Sequence, residues 1–476
     1  MKRNLIGGEW IDGSAIRQNI NPSDIDEVVG EYTQADASQA RQAIDAAHAA
    51  QRAWSFSGIQ ARSNALDFIG SELLARQQEL GNLLSREEGK TLAEGVAEVA
   101  RAGHIFRFFA AEALRIRGDR LSSVRPLVDI EVTREPVGVV GIITPWNFPM
   151  AIPAWKIAPA LAYGNSVVFK PADLVPGSAW ALAEIISRSG IPAGVFSLLM
   201  GRGSVVGKEI VNSGKVNALT FTGSVDTGRR LAEQAAGGFK KLQLEMGGKN
   251  ALVILDDADI EIAVDCAIQG AYYSTGQRCT ASSRFIVQKG IYPHFVSRVA
   301  EALSELTVGH ALDPETNIGP VVDEEQMKVD QEYVDIGKAE GATLMYGGEP
   351  LRRHTRGHFM SPALFADAAP QMRIAREEIF GPVACAIPVN TYEEALEVAN
   401  DSEFGLSAGI CTGSLKHATH FKRHMQCGMA MVNVPTAGVD YHVPFGGTKG
   451  SSYGAREQGS YAAEFFTTVK TAYTRA

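Results

Sequence analysis

The chain of 476 residues is 45% hydrophobic and 21% charged, ordinary for a globular protein but too long for one core, so two or three domains are expected. Its net charge of −9 argues against nucleic acid or an anionic membrane surface as a partner. No run approaches the roughly 18 apolar residues of a membrane span, and residues 1–6 lack the apolar stretch of a secretion signal.

Residues 4–30 read as short strands turning at Gly7-Gly8 and Asp12-Gly13. From 36 to about 117 the pattern is helical, with apolar residues at three- and four-residue spacing over 39–54 and 62–75. Residues 119–135 look like an extended two-strand segment. Strands and helices then alternate: strands over 139–144, 166–170, 195–200 and 218–222, helices over 152–163, 179–189 and 227–236. This order implies a parallel sheet covered on both faces, whose ligands gather at the C-terminal strand ends. A second α/β series runs from 250 to about 447, with strands at 250–255 and 284–287 and helices at 260–274, 293–306 and 393–400. The tail 460–476 is β-prone.

The five cysteines (266, 279, 385, 411 and 427) are scattered, odd in number and free of CxxC spacing. They read as reduced thiols, so a cytoplasmic protein is expected. Cys279 stands apart in Gly276-Gln277-Arg278-Cys279-Thr280, where a positive neighbour could favour a nucleophilic thiolate. Most single cysteines are small buried hydrophobes, and the pentapeptide alone decides nothing.

Six further motifs carry chemistry. Asn147, in Thr144-Pro145-Trp146-Asn147-Phe148-Pro149 at a strand end, can donate its amide to a developing oxyanion, or merely punctuate a turn. Lys170 and Asp173, also at a strand end, can hold a ribose or phosphate, or form a solvated loop. In Phe221-Thr222-Gly223-Ser224 a strand meets a glycine turn and a helix begins near Ser224, offering free N–H groups to a pyrophosphate or an ordinary capped helix. It is neither GxGxxG nor a Walker A loop. Glu245, in Leu244-Glu245-Met246-Gly247-Gly248-Lys249, suits a general base of raised pKa, or a surface turn. Glu377-Glu378-Ile379-Phe380-Gly381-Pro382 and Pro444-Phe445-Gly446-Gly447 with Gly454-Ala455-Arg456-Glu457 read alone as loops. His417, His420 and His424 could share a helix face, but the lysines and arginine among them favour a solvated face, and no metal is expected.

In this order and at these separations the motifs resemble the NAD(P)-dependent aldehyde dehydrogenase superfamily over essentially the whole chain. The resemblance implies an α/β fold in three parts. These are a Rossmann-like cofactor domain (1–117 and 136–247), an α/β catalytic domain (248–447) and a small β oligomerisation element (118–135 and 448–476). It implies Cys279 as nucleophile, Asn147 as oxyanion donor, Glu245 as the base that activates water, and Lys156 with Glu457 as a proton relay. For the cofactor it implies Trp146, Lys170, Asp173, Gly223, Ser224, Glu378 and Phe380. Many NAD-using members have Glu where this chain has Asp173; a carboxylate repels a 2′-phosphate, so NAD is favoured over NADP. The substrate tunnel would be lined by Phe148, Trp155, Tyr273 and Phe445, with Arg278 and Thr280 flanking the nucleophile. Arg278 is read either as a clamp for a substrate carboxylate or as a partner for a structural one.

Within the superfamily, residues 138–161 and 434–459 are similar to the 2-oxoglutarate semialdehyde (2,5-dioxopentanoate) dehydrogenases. The expected partner is thus an anionic small-molecule aldehyde, and the expected assembly a homodimer or homotetramer. Competing readings are a CoA-acylating semialdehyde dehydrogenase, a catalytically silent protein of the same fold, and a cofactor-free thiol hydrolase. Glu245 argues against the first, the joint presence of Cys279, Glu245 and Asn147 against the second, and the lack of GxSxG or a Cys/His pairing against the third.

Overall fold

A computed structural model of the chain describes residues 1–475. Its first sheet is eight-stranded, and at its heart lie Phe196–Leu198, Ser166–Lys170, Val139–Ile143, Ala218–Thr222 and Lys241–Glu245, side by side and parallel. Runs such as Ser166-Val-Val-Phe-Lys170 are buried throughout, as a strand covered on both faces must be. Antiparallel strands close the edges: Asn4–Ile6 and Glu9–Ile11 on one side, Ser452–Tyr453 on the other. The helices Ile59–Ala75, Leu92–Ala113 and Ala151–Ala162 bury a large core against this sheet. Every residue of Ala151–Ala162 is buried, Lys156 included.

The second sheet has seven strands, in the order Thr343–Tyr346, Ala363–Ala366, Val383–Val389, Ser282–Gln288, Asn250–Ile254, Ser407–Cys411 and Met429–Val432. All neighbours but the first pair are parallel. Separate apolar clusters line its two faces. The hairpin of Ala15–Asn21 and Asp24–Gln34 bridges the two halves: Asn19 donates to the Leu174 carbonyl, and Ile25 N–H donates to Arg356 O.

A third sheet joins Thr467–Arg475, Val128–Pro136 and Asp119–Ser122. The expected boundary at 448 shifts. Ser452–Tyr453 extends the first sheet beside Lys241–Glu245, and Glu457 pairs its backbone with Phe445. Within 448–459, Ser451 and Glu457–Gly459 are buried, whereas Lys449, Tyr453 and Gly454 are exposed. The β-prone tail is partly helical: Ala463–Phe466 turns Phe465 and Phe466 into the core before the strand begins. Residue 476 lies outside the described residues.

Candidate active site

The nucleophile loop leaves the helix Ile260–Ala271 through a 3-10 turn, Tyr273–Gly276. Ser274, Thr275 and Gly276 are consecutively left-handed, with φ of 52°, 58° and 66°. Two of these carry side chains, at about 1 kcal/mol each, so the surroundings must impose the bend. They do. Glu94 Oε1 accepts from the Ser274 N–H and hydroxyl, both at 2.8 Å, and Thr275 donates to the Gly319 carbonyl. Gln277 Oε1 accepts from Val322 N–H. A Cβ on Gly276 would collide with the Gly381 carbonyl. Asn250 holds the far side by donating to the Cys279 and Ala281 carbonyls, at 2.8 and 2.9 Å.

This bend brings three motifs distant in sequence to one place. Asn147 donates one amide hydrogen to the Gln277 carbonyl at 2.9 Å, which fixes its plane and leaves the second hydrogen for another acceptor. Cys279 packs against the cluster of Leu406, Met429 and Phe445. Burial, then the Glu378 and Glu245 carboxylates, push its thiol up to about 12. Glu245 ends its strand fully buried, with Ser452 Oγ donating to Oε2 and Oε1 without a partner. Burial and the neighbouring Glu457 raise its carboxyl well above the usual range. A Cβ on Gly446 would come within 2.7 Å of Glu245 Oε1, so glycine there keeps the carboxylate's space open.

Behind Glu245, Lys156 Nζ donates to Glu457 Oε1 and, at 2.8 Å, to Thr220 Oγ1, all fully buried. Glu457 Oε2 lacks a partner. The arrangement can accept a proton from Glu245's side and hand it on.

At the strand ends of the first sheet, the hydroxyls of Thr144 and Thr222 and Asp173 Oδ1 are buried without partners. Lys170 lies 3.8 Å from Asp173, and Arg17, from the N-terminal hairpin, lies 3.6 Å from its other oxygen. Ser224 is the N-cap of Val225–Ala236, but its hydroxyl donates to Thr227 Oγ1 and caps no backbone N–H. Those free donors and the helix dipole suit a pyrophosphate, and the orphaned oxygens suit ribose hydroxyls. Trp146 and Phe380 meet edge to face at 5.5 Å, with Phe380 held at φ 65°. Glu378 Oε1 accepts from Gly248 N–H at 3.0 Å, and burial pushes its carboxyl up to about 7. The residues present fit a nicotinamide dinucleotide.

On the opposite side of Cys279, Trp155 stacks on Phe445 at 5.4 Å. Phe148 lies under Lys90 Nζ, 3.9 Å from its ring centre. Tyr273 is half-buried against the second domain's core, and Thr280 is buried with its carbonyl accepting from Thr436. Arg278 requires a correction. Its Nη2 donates to Glu94 Oε1 at 2.9 Å and to Ser274 Oγ at 2.8 Å, and Nη1 to the Gln269 carbonyl at 3.4 Å, so the guanidinium is paired with a structural carboxylate and steadies the loop, with Nε left buried without an acceptor. It borders a small cavity with Gly248, Glu378 and Phe380, on the dinucleotide side. Nor does it give Cys279 an acidic thiol, because burial and two carboxylates dominate there. The three histidines lie on Leu415–His424; His420 meets the Tyr392 hydroxyl and His417 stacks on the Tyr392 ring.

The helix Leu92–Ala113 and the turn before it supply positioning residues that the motifs do not reveal. Lys90 donates to Glu98 Oε2 and to the Asn147 carbonyl, both at 2.7 Å, while Glu98 Oε1 accepts from Met150 and Ala151 N–H. Glu94, Glu98 and Arg101 follow i, i+4, i+7 spacing, a charged stripe along a helix whose Val99, Ala102 and Phe106 are buried. That stripe is the one signal by which the sequence could have exposed them.

The sequence profile of the aldehyde dehydrogenase family matches residues 10–472. The chain is 41% identical to the alpha-ketoglutaric semialdehyde dehydrogenase of Bacillus subtilis (strain 168), over 99% of this chain and 98% of that protein. It is 38% identical to the 2,5-dioxopentanoate dehydrogenase of Saccharolobus solfataricus, over 98% of each. Its fold is similar to that of a betaine aldehyde dehydrogenase from Staphylococcus aureus solved in complex with NAD+. The TM-score is 0.97 at 33% identity, covering 100% of this chain and 95% of that one.

Proposed function

The chain belongs to the aldehyde dehydrogenase family, and from that premise we propose that it oxidises a carboxylated semialdehyde, 2-oxoglutarate semialdehyde foremost, to the carboxylic acid. One observation carries the chemistry: Cys279, Glu245 and the free amide hydrogen of Asn147, from three separate motifs, converge on one buried point. Relatives named for this substrate span the whole chain at 38 to 41% identity and support the substrate choice.

Glu245 takes the proton from Cys279 Sγ, and the thiolate adds to the aldehyde carbon. The Asn147 amide and the Cys279 N–H stabilise the oxyanion that forms. When bound, the oxidised cofactor supplies the hydride acceptor that converts the adduct to a thioester. Glu245 passes the thiol's proton to Lys156 and Glu457, which carry it outward, and then removes a proton from the water that attacks the thioester, releasing the acid and the Cys279 thiolate. Lys170 and Asp173 hold the adenosine ribose, the start of Val225–Ala236 with Gly223 and Ser224 the pyrophosphate, and Glu378, Trp146 and Phe380 the nicotinamide end. The Asp173 carboxylate favours NAD; Arg17 beside it offsets part of the repulsion toward a 2′-phosphate, so NADP is accepted more weakly. The five free thiols suit a reducing cytoplasm.

The test is an activity panel of the purified protein with 2-oxoglutarate, succinate and glutarate semialdehydes, betaine aldehyde and pentanal, each with NAD and NADP. The expected result is the highest kcat/KM with 2-oxoglutarate semialdehyde and NAD, unchanged by added CoA. Preference for betaine aldehyde or pentanal would overturn the substrate class, and CoA-dependent turnover would overturn hydrolysis by Glu245.

A further inference from the structure

With Arg278 committed to Glu94, the cations around the tunnel can be sorted by what already engages them. Lys90 is bonded to Glu98 and the Asn147 carbonyl, Lys156 to Glu457 and Thr220, and Arg456 to the Gly447 carbonyl. Lys249 is buried without a partner, but it neighbours Cys385, Arg284 and Glu378, on the dinucleotide side. Arg101 is different. It lies on the helix Leu92–Ala113 with its guanidinium carbon 5.8 Å from the centre of the Trp155 ring, and Trp155 in turn stacks on Phe445, which packs against Cys279.

Arg101 forms no ion pair among the described residues, and its one side-chain hydrogen bond there is a 3.3 Å contact from Nη2 to Gln458 Oε1. Its Nε is shielded from water with no acceptor, and so are Trp155 Nε1 and Gln458 Nε2. Three adjoining groups thus present buried donors without an acceptor. Each such donor is costly, and an unpaired buried guanidinium more so. Nothing nearby relieves it: Glu98 has both oxygens engaged by Lys90 and two backbone N–H groups, and Asp440, the other carboxylate facing Arg101, is exposed to water. Gln458 is held in place at φ 60°, directly after the relay residue Glu457.

We infer that Arg101, Trp155 Nε1 and the Gln458 amide form the subsite that receives the distal carboxylate of the substrate. A carboxylate has acceptors for all three donors, and a planar guanidinium fork binds it better than a point charge. The stacked Trp155 and Phe445 rings between this subsite and Cys279 would flank the methylene chain. The Arg101 guanidinium is also near enough to the Cys279 thiol to feel its charge, which suits a substrate of a few carbons spanning the two. This subsite rests on the reading of the substrate as a carboxylated semialdehyde.

The test compares glutarate semialdehyde with pentanal, which have the same carbon count and differ in the carboxylate. Arg101→Met should raise the KM for glutarate semialdehyde by about 30-fold or more, the scale of a charge-assisted bidentate contact, with kcat changed far less. Its kcat/KM for pentanal should stay within about 3-fold, the usual range for a change that touches no bound group. Trp155→Phe should raise the same KM by about 5-fold, and Arg101→Lys should restore part of the preference. Arg278→Met should affect both aldehydes alike. An Arg101→Met enzyme that keeps the wild-type preference, or loses both activities equally with a lower melting temperature, would overturn the subsite alone. A wild-type enzyme without preference for glutarate semialdehyde over pentanal would instead overturn the proposed substrate class, and the subsite with it. Should Arg101→Met fail to fold, Arg101→Lys and Trp155→Phe carry the same comparison.

Discussion

Cys279 and Glu245 are both pushed toward their neutral forms, for the same physical reason. Burial disfavours a thiolate and a carboxylate alike; Glu378 and Glu245 raise the Cys279 thiol further, and Glu457 raises Glu245. The thiol therefore needs a base beside it rather than a lowered pKa, and the unpartnered Oε1 of Glu245 is available. The sign of the pH dependence follows. A carboxyl held above its ordinary value keeps its proton as pH rises past the usual carboxylate range, and the basic form appears only at higher pH. The rate of thioester hydrolysis should accordingly rise with pH above the usual carboxylate range, in a step absent from Glu245→Gln. That variant should lose about 100-fold or more in steady-state turnover, and its first burst of reduced cofactor in stopped-flow absorbance should also be slower, because the thiol loses its base. Steady-state turnover close to wild type would remove Glu245 from the mechanism. Cys279→Ala should abolish aldehyde oxidation yet bind NAD with nearly unchanged affinity in a fluorescence titration; more than a few per cent residual activity would exclude it as nucleophile. The Arg101 guanidinium, without an ion pair and with its Nε lacking an acceptor, is the same principle with the opposite charge, a donor set that a substrate anion would complete.

The position of Cys279, the proposed nucleophile, is a property of two elements. The left-handed Ser274-Thr275-Gly276 turn is unfavourable by itself, and the helix Leu92–Ala113 holds it there through Glu94. Glu94→Ala would remove five hydrogen bonds, two from Thr91 at the helix start, two from Ser274 and one from Arg278, and leave the Arg278 guanidinium without its carboxylate. We expect a loss of about 2 kcal/mol, read as a lower melting temperature, with kcat falling more than KM because the thiol loses its aim. If neither changes, the loop is held by its other contacts. This dependence explains which parts of the site are legible in the sequence. Asn147 and Cys279 each follow a strand or helix whose hydrophobic pattern announces it, and Glu245 is marked as a lone carboxylate in an apolar, glycine-rich run. Glu94, Glu98 and Arg101 lie within a helix, where charged residues are usual, and only the three-dimensional packing turns that face inward. Arg278 fails for the complementary reason. Its place next to the nucleophile in sequence says nothing of direction, and the bend before it turns the guanidinium toward Glu94.

At the scale of the molecule, the two large sheets and the bridge between them hold the whole site within one chain, but the third sheet is left incomplete. Thr467–Arg475 is an edge strand, and eight of its nine residues are exposed. Val469 and Tyr473 on it, and Leu121 on Asp119–Ser122, remain more than half exposed. A long edge strand with free backbone donors and acceptors and bare apolar side chains is a template for another chain. A second copy is the partner this sheet suits, consistent with the expected dimer or tetramer. The strand is also tied to the first sheet at its start, where Lys241 donates to the Thr467 carbonyl. It begins only nine residues after Gln458, at the inferred carboxylate subsite, so assembly would steady the segment that carries Glu457 and Gln458. Val469→Lys with Tyr473→Lys places charge along that edge without touching the site. The expected outcome in light scattering is a particle of lower mass than wild type. In steady-state kinetics the KM for glutarate semialdehyde should rise while the KM for NAD holds, because the loosened segment lies at the carboxylate end. An unchanged mass would assign the interface elsewhere; a reduced mass with both constants unchanged would show that the site does not lean on assembly.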